Sequence, residues 1–137
     1  MDMEKSKFPH FIIVGTMKSG TTSLADLLSI NEQIFIPEKE LHFFDNYGGY
    51  KDRWSLGLSW YKKQFLNASS AQLTGEKTPT YSYLNDVPKR IFETLPNVKL
   101  IWIFRNPINR TYSNYWHSVI SGIEKKSFNY AIKNESK

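Results

Sequence analysis

The chain has no cysteine, so neither a disulfide framework nor a thiolate metal site is available to it. Histidine is scarce as well: His10, His42 and His117 share no metal-ligand spacing, and no metal is expected. Long apolar runs are missing. The first ten residues are largely polar and charged, and Phe11–Val14 is too short for a signal-peptide core or a membrane span; a cytoplasmic protein without a membrane span is expected. Internal repeats, low-complexity tracts and an interdomain linker are lacking too. The 137 residues therefore read as a single domain, 1–137, with flexible ends expected at about 1–9 and 124–137.

Acidic side chains are outnumbered, 13 against 18 Lys and Arg, which leaves a formal charge of +5 and a pI near 9.3. That balance favours anionic partners such as a nucleotide or a sulfated or carboxylated glycan. The basic residues are scattered, with Lys62-Lys63 and Lys125-Lys126 among the few doublets. No helix-turn-helix or RNA-binding signature accompanies them, so nucleic acid is not expected as a partner.

What the chain does have is Phe11-Ile-Ile-Val-Gly-Thr-Met-Lys-Ser-Gly-Thr-Thr-Ser-Leu24, four apolar residues running into a Gly-rich turn where a helical pattern begins. Gly15 and Gly20 keep the Gly-x-x-x-x-Gly spacing of a phosphate loop, whose backbone N–H groups and following helix N-terminus hold an anion. A nucleoside-triphosphate loop puts lysine directly after the second glycine. Here that position is Thr21, and the lysine is Lys18, inside the turn. The displacement argues against an ordinary ATPase or kinase. The alternative is a structural turn with a solvated lysine.

Periodicity predicts strands at Phe11–Val14, Ile34–Ile36, Gln72–Gly75 and Val98–Phe104. Helices are expected at about Thr21–Ser29, Leu58–Phe65, Val87–Leu95 with Pro88 in its first turn, and Pro107–Ser121. The tail reads as one helix around Phe128 and Ile132, or as a fraying end. Alternating strands and helices predict an α/β fold, a P-loop-like parallel sheet flanked by helices that binds ligands at the C-terminal ends of its strands. Trp60 and Trp102 are expected in the core.

Four blocks, VGTMKSGTTSL, KELHFF, GEKTPTY and IFRNPINRTYSNY, resemble in order and spacing the sulfotransferases that use 3′-phosphoadenosine 5′-phosphosulfate. The similarity is closest to the branch acting on glycosaminoglycans such as heparan sulfate, and to bacterial relatives. It covers roughly Phe11 to His117. The resemblance implies sulfuryl transfer from that donor to a hydroxyl or amine, with a carbohydrate as the acceptor. The family's domain is longer than this chain, so a fold truncated at its C-terminus is expected, and the oligomeric state stays open. The rivals are a non-catalytic nucleotide- or glycan-binding fragment and a P-loop kinase.

Carried onto this sequence, the resemblance makes Lys18, Ser19, Gly20, Thr21 and Thr22 the cradle for the 5′-phosphosulfate, with Arg105 and Ser113 as the clamp on the 3′-phosphate. Glu40 takes the role of general base, because an alcohol is a poor nucleophile until its proton leaves. Glu38 and His42 are rival bases, and alternation would put Glu38, Glu40 and His42 on one side of an extended segment. Lys77 is implied at the sulfuryl group or the acceptor, while Glu76 is free to pair with Lys77 or Lys18. Lys39, Trp116 and His117 complete the acceptor side, and Arg110 is a second phosphate candidate. A Walker-type nucleotidase wants Asp at the strand end that Arg105 occupies, so a metal-free reaction is implied.

Overall fold

The computed structural model describes residues 8–47 and 52–134. Residues 1–7 and 135–137, within the stretches expected to be flexible, lie outside the described residues. Four parallel strands form the sheet: β1 (Phe11–Gly15), β2 (Ile34–Phe35), β3 (Leu73–Lys77) and β4 (Lys99–Trp102), in the order β2-β3-β1-β4. β1 sits between β3 and β4, with Ile12 opposite Glu76 on one side and Leu100 on the other. A central parallel strand is covered on both faces, which explains why its apolar residues run on without alternating. The helices are α1 (Thr21–Ser29), α2 (Gly57–Lys63), α3 (Val87–Thr94), α4 (Pro107–Ile120) and α5 (Phe128–Asn134). None of them is long and apolar enough to cross a membrane.

The two faces of β1 serve different layers. Ile12 and Val14 join a cluster built from Leu41, Phe43, Phe44, Tyr61, Phe65, Tyr81, Val87, Ile91 and Leu95. Phe43 is its centre, stacked on Tyr61 at 4.5 Å and edge-on to Phe44 at 5.0 Å. Each fully buried aromatic of this kind contributes about 1.5–3 kcal/mol by leaving water. α3 supplies Val87 and Ile91 four residues apart, one face of one helix, and Leu95 continues the row just beyond it. Ile13, equally buried, lies outside that cluster, on the face where α1 rests with Thr21 and Ala25 turned inward.

The far side of the sheet is different. Asn106 caps α4 by accepting from Ile108 N at 3.0 Å, and Pro107 opens the helix where the N–H that proline lacks would have no intrahelical partner anyway. Yet neither α4 nor α5 has a buried residue. Trp102, expected in the core, is 43% exposed and stacks on Phe104, itself more exposed, at 5.9 Å. Among the described residues that end of β4 is only partly covered. Trp60 is half-buried against the aromatic cluster, as expected of a core residue at its margin.

Candidate functional site

β1 ends in the loop 16–20, and the loop is pinned before α1 begins. Thr16 N donates to Ile103 O at 2.9 Å, Thr16 Oγ1 and Ser19 Oγ share a 2.6 Å hydrogen bond, and Ser19 N donates to Thr16 O at 3.1 Å. Lys18 and Gly20 both take left-handed conformations, φ +65° and +99°. Such turns leave successive N–H groups pointing into one concavity, a nest for an anion. A Cβ at Gly20 would meet nothing within 4 Å, so glycine is there for its backbone angle and not for lack of space.

Arg105, three residues past the end of β4, reaches back to donate from Nη1 to Lys18 O at 3.2 Å. An open cleft of about 470 Å³ is lined by Lys18, Thr21, Thr22, Glu40, Arg105 and Ser113, with His117 at one edge. A hollow of about 450 Å³ continues from it past Lys18, Arg105 and Ser113 to Trp116 and His117. The structure thus brings together phosphate-loop, strand-end and helix residues from four separate sequence blocks. The loop's N–H groups, three hydroxyls and two cations fit an anionic nucleotide.

Glu40 occupies the other wall. Lys77 Nζ lies 3.0 Å from Glu40 Oε1 and donates to Thr22 Oγ1 at 3.1 Å, bridging the carboxylate to the N-terminus of α1. His42 Nε2 is 3.3 Å from Glu40 Oε2, and His42 Nδ1 lies 3.0 and 3.1 Å from the two oxygens of Asp45. Thr80 Oγ1 donates to Asp45 as well. Burial works against charge on the imidazole, but its hydrogen bonds to Asp45 and Glu40, and their negative charge, outweigh burial and raise His42 to about 9. Burial works against the Glu40 carboxylate too, and the same contacts with His42 and Lys77 hold it below its ordinary value. At neutral pH Glu40 is therefore an ionised acceptor between two cations, with its side chain 31% exposed to the cleft.

Four residues singled out from the sequence lie elsewhere than expected. Glu38 is exposed and makes no row with Glu40 and His42, because the chain bends at residues 38 and 39 and is not an extended segment there. Lys39 is exposed and is not among the side chains lining the cleft. Glu76 pairs with neither Lys77 nor Lys18: successive strand residues face opposite ways, and Glu76 is wholly buried beneath the sheet, accepting from Tyr61 OH at 2.6 Å. Arg110 does not line the cleft.

Sequence reasoning missed Asp45, Thr80 and Arg53. Asp45 and Thr80 fix the imidazole, and Arg53 Nη1 donates to Leu41 O at 2.5 Å, holding the segment that carries Glu40. The one sequence signal was the spacing His42-x-x-Asp45, which a turn closes into a contact.

Comparison with known proteins bears on the family and the fold. Residues 8–134 match the sulfotransferase domain family. Heparan sulfate glucosamine 3-O-sulfotransferase 5 of Homo sapiens is 34% identical over 124 residues, which is 90% of this chain and 34% of that protein. The membrane-associated sulfotransferase kil1 of Dictyostelium discoideum is 38% identical over 115 residues, 81% of this chain and 23% of that protein. The crystal structure of a sulfotransferase from Alicyclobacillus acidocaldarius superposes with a TM-score of 0.81 at 28% identity, over 95% of this chain and 57% of that one. The chain spans about a third or less of the length of these curated relatives.

Proposed function

This chain belongs to the sulfotransferase family, and on that premise we propose that its cleft directs a sulfuryl group from 3′-phosphoadenosine 5′-phosphosulfate to a hydroxyl or amine of a glycosaminoglycan-type acceptor. The observation that carries the reading is the placement of an ionised Glu40 across one cleft from Lys18, Arg105 and Ser113. The bound donor supplies an electrophilic sulfur whose leaving group is a nucleotide phosphate.

The chain's own groups divide the work. The loop N–H groups, Thr21 and Thr22 bind the 5′ end, and Lys18 neutralises charge that gathers on the leaving oxygen. Arg105 and Ser113 grip the 3′-phosphate, the guanidinium with a planar fork. Glu40 takes the proton of the acceptor as the new bond to sulfur forms, and His42 and Lys77 hold its carboxylate still and ionised until then. Lys77 stands between the base and the phosphate loop, where it can also meet the sulfuryl oxygens. His117 and Trp116 extend the wall toward the acceptor.

The exposed end of β4 and the unburied α4 favour a second reading, a domain portion that binds the nucleotide without turning it over. Transfer of labelled sulfate from the donor to desulfated heparan chains separates the two. Incorporation by the wild-type chain that Glu40→Gln abolishes supports catalysis; donor binding without incorporation supports the binding fragment.

A further inference from the structure

Beneath the cleft lies a carboxyl that the transfer reading does not use. Glu76 is 0% exposed, and among the described residues no cation forms an ion pair with it. A buried acid with no direct ion pair is costly to keep, which calls for a reason. Its Oε1 accepts from Tyr61 OH at 2.6 Å and its Oε2 from Thr78 Oγ1 at 3.3 Å. Thr78 Oγ1 has given its one proton to Glu76, so its lone pairs remain for Leu41 N, which donates to it at 3.2 Å.

That amide belongs to the peptide linking Glu40 to Leu41. The carbonyl of the same peptide, Glu40 O, accepts from Arg53 Nη1 at 3.3 Å. The peptide is therefore held at both ends, by Thr78 just past β3 and by Arg53. His42 follows at φ +44°, a conformation that a non-glycine residue keeps only where its surroundings over-determine it.

We propose that Glu76 is a positioning residue for the array Glu40, His42 and Asp45, acting through Thr78 Oγ1 on the Glu40–Leu41 peptide. In its ionised form, which prevails above about pH 7, the carboxylate can only accept, so it obliges both Tyr61 and Thr78 to donate and fixes the direction of every bond in the relay. An amide in its place would offer N–H to Thr78 and compete with Leu41. The groups facing Glu76 are Tyr61 from α2 and Tyr81, Asp45 and His42 from the loops. Burial pushes the Glu76 carboxyl up to about 7 against the hydrogen bonds from Tyr61 and Thr78. The kinetic consequence rests on the transfer reading above; the structural relay does not.

The test compares Glu76→Gln, Thr78→Val and Thr78→Ser with the wild-type chain, after thermal unfolding confirms that each folds. The titration of the His42 imidazole is followed by NMR, and transfer rate and donor KM are measured beside it. Glu76→Gln and Thr78→Val should lower the His42 pKa by about one unit or more, as Glu40 drifts from Nε2, and Thr78→Ser should restore it. The rate should drop about tenfold with donor KM unchanged, because the relay touches the base and not the phosphate cradle. Folded Glu76→Gln and Thr78→Val chains in which His42 titrates as in wild type would overturn the proposal. Should those variants not fold, hydrogen exchange of the Leu41 amide in the wild-type chain decides: strong protection supports the relay, and exchange at the rate of an exposed loop overturns it. Absent transfer by the wild type removes the catalytic reading but leaves the imidazole titration to judge the relay.

Discussion

Asp45→Asn isolates the electrostatics of the site, because it removes one negative charge from a buried imidazolium while keeping the shape of the side chain. His42 moves from an ordinary value of 6.5 to about 9 in the folded chain. A difference of that size corresponds to about 3 kcal/mol of stability. The folded-state value is the higher one, so the contribution is complete below pH 6.5, declines as pH rises, and is gone once pH passes about 9. Asp45 is the first of the two partners that raise the imidazole, and without its charge the opposing effect of burial gains ground. Asparagine still accepts from Thr80, so that hydrogen bond is kept. Chemical denaturation at pH 7 should show Asp45→Asn about 2 kcal/mol less stable than wild type. Near pH 10 the gap should close, since the wild-type imidazole is then neutral too. An equal penalty at both pH values would refute the reasoning, as would a wild-type His42 that titrates near its ordinary value.

Glu40→Gln should lower the transfer rate about 10²–10⁴-fold, the usual contribution of a positioned general base, while calorimetry finds nucleotide affinity within about a factor of three of wild type. Phe43→Ala should cost about 3–5 kcal/mol in urea unfolding, whereas Trp102→Ala should stay within about 1 kcal/mol, and equal losses would place Trp102 in the core after all. Gly15→Ala brings a Cβ to 2.5 Å from Ser82 Cβ, whose hydroxyl is tied to Pro79 O. The turn must shift, and a loss of about 1–3 kcal/mol is expected in the same unfolding assay.

Much of the frame was legible because local signals and packing agree there. α1 spans Thr21–Ser29 as expected, since the glycine before it and its inward face of Thr21 and Ala25 point the same way. Pro88 and Pro107 marked helix starts for the same reason. β4 is shorter than the apolar run that announced it: its pairing with β1 shifts between Ile13 and Gly15, and the ladder closes at Trp102. Composition could not say which side of that strand would be covered, so Trp102 looked like core. The phosphate loop was readable from spacing because its function is carried by the backbone. The acid side was only half readable. Glu40 stands in a recognisable block, but its geometry depends on a positive φ at His42, on Asp45 folding back to the ring, and on Arg53 and Thr78 arriving from distant segments. Glu76 and Lys77 are adjacent in sequence and serve opposite faces, which becomes plain only once β3 is known to run through both.

The central claim is that this chain holds the donor nucleotide between Lys18 and Arg105. Calorimetric titration of the folded chain with 3′-phosphoadenosine 5′-phosphate, beside ATP with Mg²⁺ and beside Arg105→Ala, tests it most directly. The account predicts preferential binding of the bisphosphate and at least about a tenfold loss of affinity on removing the guanidinium. Equal affinity for ATP with Mg²⁺, or bisphosphate binding that Arg105→Ala leaves intact, would contradict it.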